Sequence, residues 1–574
     1  MNSSTCAPAA PSREPLIPPK QPSPSEDFSS SSSSNPLRTA RSLVLLQLLS
    51  RLLTFTLNQL LLRLASPAVF GTAAIQFDLV CSSILFLSRE GIRNALLRSR
   101  SRTNTTYDPK KGKDGGEFKV EQENEDKQVE NLSVIPLRIG IVISTLISLV
   151  YLYFSSNTTV SQPHFHVSLF LYVVAALMEL SIEPLYIKIH RSINPKLNVR
   201  VQAEGGMAII RSIITVSALI VLGEKGALLG FALGQISGST WLVSRYLKEC
   251  HWDIKSIFIS KTIKGEKMYN PQTLSLAIAN TGQSLIKHLL TEADRIAVAR
   301  ISPLDDQGGY AVAMNYGSLI ARIVFQPLEE SLLLHYSSSL SSSNTLPLYT
   351  LTIRLSLYLT MIIRTFVPPL YPALSPLLLP KQYQSTSAPS ILRLYLTTYI
   401  PLMSLNGVSE SFVSSSASPE EIKSQAKWMI SSSAIFSISL YILTHLPQIY
   451  LHGEGQNFKL LNFSNEESLV LASCTAMTVR ILFALLHANR TFKLRKPNLR
   501  WRDLIPNIKV FGWTWLVWGI LTLLLNTDRW KVNWKGWVEL VGLGGVLGLI
   551  TLGLIFLAER ARLKDLRRKD GKME

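Results

Sequence analysis

Thiol and metal chemistry have almost nothing to work with in this chain. Its four cysteines, Cys6, Cys81, Cys250 and Cys474, are scattered over 574 residues. They form no CxxC pair and no Cys/His spacing suited to zinc, so neither a disulfide framework nor a metal centre is expected. Charge is scarce as well, at 17% of residues against 47% hydrophobic, with a mean hydropathy of +0.21. For a chain this long, that balance argues against soluble domains and for a polytopic membrane protein. The glycine-rich stretch 223–238 lacks the GK[ST] of a phosphate loop, so no nucleotide site and no cofactor is expected. A short early leader is also missing: the first apolar run starts only at Leu43, which reads as a retained signal anchor.

What is plentiful is positive charge, a formal +19. Its distribution argues against nucleic acid, because the basic residues gather in loops between apolar runs. Those runs have the length a helix needs to cross hydrocarbon. They fall at 43–62, 69–87, 135–154, 167–189, 203–222, 227–247, 272–290, 311–334, 348–370, 389–412, 428–446, 467–486, 510–525 and 537–557. With the N-terminus in the cytosol, every even-to-odd connection should be basic. Residues 88–134 carry ten Lys/Arg, 248–271 five lysines, 487–509 seven basic residues and the tail from Arg560 seven more. The opposite connections are poor: 155–166 has none and 447–466 only Lys459. The expectation is an all-α polytopic membrane protein of about fourteen transmembrane helices with both termini cytosolic.

Residues 1–41 are rich in Ser and Pro and read as a disordered cytosolic tail. The charged connection at 99–130 is expected to be disordered too, and its Glu121, Glu123 and Glu125 are read as solvated charge rather than a metal site. A short internal match organises the rest. Arg63-Leu-Ala-Ser-Pro-Ala-Val-Phe-Gly71 follows the first span and Arg300-Ile-Ser-Pro-Leu-Asp-Asp-Gln-Gly308 follows the seventh. A six-span unit repeated in the same orientation is the pattern of transporters that bind between two halves. The chain then divides into an N-lobe at 42–247, a cytosolic linker at 248–271, a C-lobe at 272–486, a basic loop at 487–509, two further helices within 510–557, and a basic tail at 558–574. The two lobes are expected in a pseudo-twofold arrangement.

Ionisable residues at membrane depth cost at least about 2.5 kcal/mol each, so they face a partner or a wet cavity. The stretch Gln283–Glu330 has the densest set, and positions 322, 326, 329 and 330 share one helical face. Candidate central-cavity residues are Arg51, Arg63, Arg89, Glu90, Glu179, Glu204, Lys287, Glu292, Arg295, Arg322, Gln326, Glu330, Asn406, Glu410 and Arg480, with Asp78 and Glu183 nearby in the pattern. Arginine forks in such a cavity suit a diphosphate. The plainer reading is packing: Glu292 and Arg295 can satisfy each other, and Arg63, Arg89 and Arg93 can snorkel to headgroups. Glycines 542, 544, 545 and 548 fit close helix packing, and six tryptophans between 513 and 537 fit an interfacial belt. Of five N-x-S/T sequons, Asn157 and Asn462 fall on the expected lumenal side.

Several longer stretches resemble the Rft family of oligosaccharide translocation proteins, within the multidrug/oligosaccharidyl-lipid/polysaccharide flippase superfamily. They are LLQLLSRLLTFTLNQLLLR (45–63), LFLSREGIRNA (85–95), MELSIEPLYI (178–187), LLTEADR (289–295), DDQGGY (305–310), NYGSLIARIVFQPLEES (315–331) and NGVSESF (406–412). The resemblance implies a MATE-like fold in the endoplasmic reticulum membrane and a role in N-linked glycosylation. It also implies a cargo, dolichol-diphosphate-linked Man5GlcNAc2, moved from cytosolic to lumenal leaflet, with ER lipids and glycosylation machinery as partners. Gln76 stands where some members have Arg, which counts against a phosphate ligand there. A non-transporting scaffold for the same lipid, or an ion-coupled small-molecule exporter led by carboxylates such as Glu330 or Glu410, would keep the fold. A membrane glycosyltransferase is disfavoured, because the first expected lumenal loop, Leu64–Val69, holds no acid.

Overall fold

The computed structural model describes residues 56–103, 115–191, 197–258, 267–320, 324–339, 345–417, 419–445, 463–495, 499–526 and 534–570. Every regular element among them is helical. After a helical stretch at 56–64, the N-terminal half comprises α1 (Pro67–Leu97), α2 (Gly115–Phe154), α3 (Phe165–Arg191), α4 (Leu197–Leu222) and α5 (Ala227–Glu249). The C-terminal half comprises α6 (Pro271–Thr291), α7 (Ala293–Ile301), α8 (Leu304–Ile320), α9 (Gln326–Ser339), α10 (Thr345–Leu378), α11 (388–416), α12 (Pro419–His445) and α13 (Asn465–Arg495). Two more follow, α14 (Ile508–Asn526) and α15 (Trp534–Asp570). Ten helices among the described residues are long and apolar enough to span a membrane. Helices also occupy the described residues of the runs expected at 272–290, 311–334 and 389–412 without meeting that measure. The connection expected to be disordered at 99–130 is helical wherever it is described: helix reaches Thr103 on one side and resumes at Gly115 on the other. Its Glu, Gln and Lys are good helix formers that prolong a neighbouring span.

Local chemistry explains the boundaries. Asn270 caps α6, its side-chain oxygen accepting from the Gln272 and Thr273 amides at 3.0 and 3.3 Å with Pro271 in the first turn. Ser464 and Glu467 form a reciprocal capping box at the start of α13, at 3.2 and 3.1 Å. The run at 348–370 contains Arg354 and Arg364 and is continuous within α10, despite prolines at 368, 369, 372 and 376. Carbonyls near that proline-rich end find side-chain donors: Trp537 Nε1 reaches the Ala373 oxygen at 3.1 Å and the Tyr316 hydroxyl the Leu378 oxygen at 2.7 Å. Outward faces carry large exposed apolar residues, such as Val142, Leu146 and Leu149 on α2 and Leu549, Leu552 and Phe556 on α15. Such faces belong against lipid.

The two halves share a core at one end. Leu62, Phe70, Ile75 and Phe77 of the first half lie in one cluster with Tyr310, Val312, Tyr383, Ala388 and Leu392 of the second. At the opposite end the apolar core is divided in two. One holds Ile92, Leu96, Leu185 and Tyr246 of the first half with Ala277 of α6. The other holds Tyr336, Tyr349, Ile353, Phe412 and Phe492.

The shared end is built on the internal repeat. Pro67 opens α1 and Leu304 opens α8, and in each case the glycine of the repeat follows four residues later, at Gly71 and Gly308. The two turns pack directly on each other. A Cβ on Gly71 would lie 2.7 Å from the Gly308 nitrogen, and one on Gly308 would lie 2.1 Å from the Pro67 carbonyl oxygen. No side chain fits between these backbones. Gly308→Ala is therefore expected to cost about 1–3 kcal/mol, lowering the melting temperature in detergent. Gly553→Ala, where nothing lies within 4 Å, should leave it unchanged or raise it.

The last two helices are pinned by a buried ionic knot. The Arg354 guanidinium donates to Glu559 Oε1 through Nε at 2.9 Å and also through Nη2. It also bonds the carbonyls of Asp503 and Ile505. The Tyr358 hydroxyl donates to the same carboxylate oxygen at 2.9 Å and accepts from the Asn507 amide at 2.9 Å. Glu559 is 1% exposed at its side chain and Arg354 7%. Removing one partner of such a pair strands the other charge, at about 3–5 kcal/mol. Glu559→Ala should thus expose α15 to limited proteolysis, while Glu539→Ala should not.

Candidate functional site

Polar groups inside this bundle fall into three sets. The first joins the halves at their shared end. Gln76 Nε2 donates to Gln307 Oε1 at 2.7 Å, and the Tyr151 hydroxyl donates to Gln76 Oε1 at 2.7 Å. Asn58 pairs with Asn315 at 3.0 Å, and the Tyr316 hydroxyl reaches Gln59 at 3.0 Å. Gln382 donates to the Leu62 and Ala65 carbonyls at 2.8 and 2.6 Å. Gln76 sits on a π-helical turn, Thr72–Phe77, a distortion that frequently marks function. Its amide is spent on the joint between halves.

Farther along α1, contact passes to α6. The Ser83 hydroxyl lies 2.8 Å from His288 Nε2, and the His288 ring stacks on Phe86 with centroids 4.9 Å apart. Gly91 lies so close to Thr281 that a Cβ would meet its backbone nitrogen at 2.6 Å. The halves thus touch both at the shared end and, through α6, along the length of α1.

The second set is sealed. Glu183, 1% exposed at its side chain, receives Arg93 on both oxygens, with Nε to Oε2 at 3.0 Å, while Arg89 stands 3.7 Å away. The Arg93 guanidinium also lies 4.0 Å over the Tyr186 ring. Glu179 is buried and accepts from Ser239 at 3.0 Å and Gln235 at 3.4 Å. Arg89 and Arg93 are therefore engaged inward rather than snorkelling, because a buried carboxylate on α3 needs them. Sealed groups like these fix the packing of α1, α3 and α5.

The third set is accessible. Asp78 and Arg211 pair at 3.0 Å with side chains 33% and 34% exposed. Glu410 and Arg480 pair at 2.7 Å with 34% and 36%, and Asn406 Nδ2 donates to the same Glu410 oxygen at 3.1 Å. These pairs, unlike Glu183, can exchange a partner for a ligand group without opening the core. The second pair lines a small cleft of about 20 Å³ between α11, α12 and α13.

Other sequence candidates lie elsewhere. Glu292 and Arg295 pair with each other at 3.2 Å, as their spacing allows. Glu204 is exposed and pairs with Arg200 at 2.9 Å, Glu90 accepts from Asn94 at 3.1 Å, and Arg63 and Gln326 are exposed. Glu329 lies against the backbone of Gly407, where a Cβ would clash with its carboxylate. Arg51, Arg322 and Asn462 lie outside the described residues, as do the side chains of Lys287 and Glu330. Asn157 is exposed in a short helix, but Thr159 of its sequon is buried, with its hydroxyl 2.9 Å from Ser156 Oγ. Among the described residues no group of three or more His, Cys, Asp or Glu could hold a metal. Arg211 was passed over in the sequence, although a charge inside an apolar run is the signal that marked Asp78. Gln307 and His288 gave no comparable signal.

In a double-mutant cycle, Asp78→Leu with Arg211→Met should show a coupling of about 0.5–3 kcal/mol in thermal unfolding. The exposed pair Glu204→Leu with Arg200→Met should show under about 0.5 kcal/mol. Equal couplings would remove the distinction between the pairs.

Comparison with known proteins follows the same lines. The sequence model of a family described as Rft protein matches residues 35–569. A Schizosaccharomyces pombe protein named Man(5)GlcNAc(2)-PP-dolichol translocation protein RFT1 is 33% identical over 480 residues, 79% of this chain and 83% of that one. A Saccharomyces cerevisiae protein of the same name is 30% identical over 435 residues, 68% and 74% of the two chains. Among solved structures the chain is similar to lipid II flippase MurJ in an inward closed conformation. The TM-score is 0.59 at 14% identity, covering 90% of this chain and 99% of that one, a likeness of fold.

Proposed function

The chain belongs to the Rft protein family, and on that premise we propose that it carries dolichol-diphosphate-linked Man5GlcNAc2 across the endoplasmic reticulum membrane for N-linked glycosylation. The observation that carries this reading is the family match over 35–569, joined to a fold like that of lipid II flippase MurJ. Two six-helix lobes in a MATE-like, pseudo-twofold arrangement, followed by two further helices, make fourteen spans with both termini cytosolic. The alternation of basic and uncharged loops supports that orientation. The protein acts as a transporter and not as an enzyme, with the lipid-linked oligosaccharide and ER lipids as its partners.

The mechanism is alternating access. A core common to both halves at the Gly71/Gly308 end, and at the other end two cores of which one joins the first half to α6 and the other lies within the second half, suit lobes that rock about their joint. The end with separate cores is the one the basic loops assign to the cytosol, where the cargo is made available. Arginines at the accessible surfaces, Arg211 and Arg480, together with the candidates Arg51 and Arg322, meet the cargo's polar head, while the dolichol stays in lipid. The amide clasp of Gln76, Gln307 and Tyr151 must part to release the cargo on the lumenal side.

Purified protein in liposomes should exchange the lipid-linked oligosaccharide between leaflets faster than protein-free vesicles. Intact binding with exchange no faster than the vesicles alone would sink the flippase reading and leave a scaffold that presents the lipid to other machinery.

A further inference from the structure

Two helices, α14 and α15, stand outside the repeat, and the ionic knot fixes the segment that leads into them. In residues 499–509, Leu499 and Leu504 are buried in the core that holds Tyr336 and Tyr349. The backbone that follows is held from the inside. Arg354 Nη1 donates to the Asp503 carbonyl at 3.4 Å and also to that of Ile505. The Tyr358 hydroxyl accepts from the Asn507 amide at 2.9 Å. With those groups turned inward, Trp501 and Ile505 are exposed, and so are Arg500, Arg502 and Lys509. A fixed backbone thus presents bulky apolar and cationic side chains together on its outer face.

The helices set the level of that face in the membrane. α14 has 19 residues, about 28 Å at the α-helical rise, which matches a hydrocarbon core of about 30 Å. The residues just before Ile508 therefore sit at the headgroup boundary. α15 returns to the same level, because Val510 of α14 and Ile555 of α15 share a small core with Tyr358. Arg562 Nη1 on α15 reaches the Asp503 carbonyl at 3.4 Å, and Arg560 beside it is exposed. Among the described residues no ion pair engages Arg500, Arg502, Lys509 or Arg560. Asp503 is the one acid within 499–509, and Glu559 is sealed by Arg354. Four cations are left facing outward with one local carboxylate against them.

Charge and apolarity together select the partner. A soluble acidic protein or a free phosphate would meet the cations and leave Trp501 and Ile505 in water. A bilayer surface takes both, with apolar side chains at the acyl boundary and cations among phosphates. We propose that residues 499–509 and Arg560 form a platform for anionic phospholipid on the membrane face that the basic loops assign to the cytosol. Lipid bound there secures α14 and α15 through the Arg354–Glu559 knot, which gives the two helices beyond the repeat a task of their own. A zwitterionic headgroup carries its own cation and is held less. The platform concerns the bilayer and not the cargo.

The test titrates the full chain in detergent with phosphatidylinositol or phosphatidylcholine and follows its melting temperature. Phosphatidylinositol should raise the midpoint roughly threefold more than phosphatidylcholine, and about 0.5 M salt should remove the difference. Combining Arg500→Gln, Arg502→Gln, Lys509→Gln and Arg560→Gln should abolish it, and Trp501→Ala should reduce it about twofold. Removing as many exposed cations elsewhere on that membrane face, by Lys188→Gln, Lys248→Gln, Lys255→Gln and Lys267→Gln, should leave it intact. Should the first combination fail to fold, Arg500→Gln with Arg502→Gln alone should still halve the difference. Equal loss in both sets would overturn the platform in favour of a uniform basic surface. The same stabilisation by inorganic diphosphate or an acidic peptide would overturn it in favour of a soluble anion. No step involves the lipid-linked oligosaccharide, so failed leaflet exchange leaves the platform standing, and a failed platform leaves exchange standing.

Discussion

Two backbones meet at Gly71 and Gly308 with no side chain between them, and the arrangement of the halves depends on that contact. It brings the first turns of α1 and α8 together at equivalent positions of the repeat. The flanking side chains, Gln76 with Gln307 and Asn58 with Asn315, can then bond across the joint. A shared apolar core surrounds the contact, and the cores divide only at the far end. A larger residue at either glycine would separate the halves by the width of a methyl group and lengthen every one of those amide bonds.

The interior charges follow a second rule, that a charge withdrawn from water must be neutralised where it lies. The degree of sealing separates their roles. Glu183 with Arg93, and Arg354 with Glu559, are closed off and hold helices together. Asp78 with Arg211, and Glu410 with Arg480, keep about a third of each side chain open.

The all-helical fold was legible in the sequence, because the bilayer imposes a length on each apolar span. The two matching nine-residue turns pack on each other through their glycines, where no side chain could stand. The candidate site was less legible. A charge in an apolar run announces itself, and Asp78, Glu179, Glu410 and Arg480 were found that way. Its partner does not: Asp78 bonds Arg211, 133 positions away, and Glu292 forms an ion pair with Arg295, its near neighbour. Only spacing within one helix could be read in advance. Glu204 shows the converse, a charge at a helix start that stays at the surface. Trp428 and Phe483 look like ordinary lipid-facing aromatics until three helices bring them beside Arg480.

The knot between Arg354 and Glu559 also orders events in time. The two residues are 205 positions apart, and ribosomes add about 5–20 residues per second. Arg354 thus enters the membrane region roughly 10–40 s before its counter-ion exists. During that interval α10 carries an unneutralised guanidinium and four prolines, and the helix is poorly suited to lateral release into lipid on its own. Insertion of the C-terminal half is therefore completed by its last helix, and a chain truncated before Glu559 is one that the insertion and quality-control machinery still has to hold.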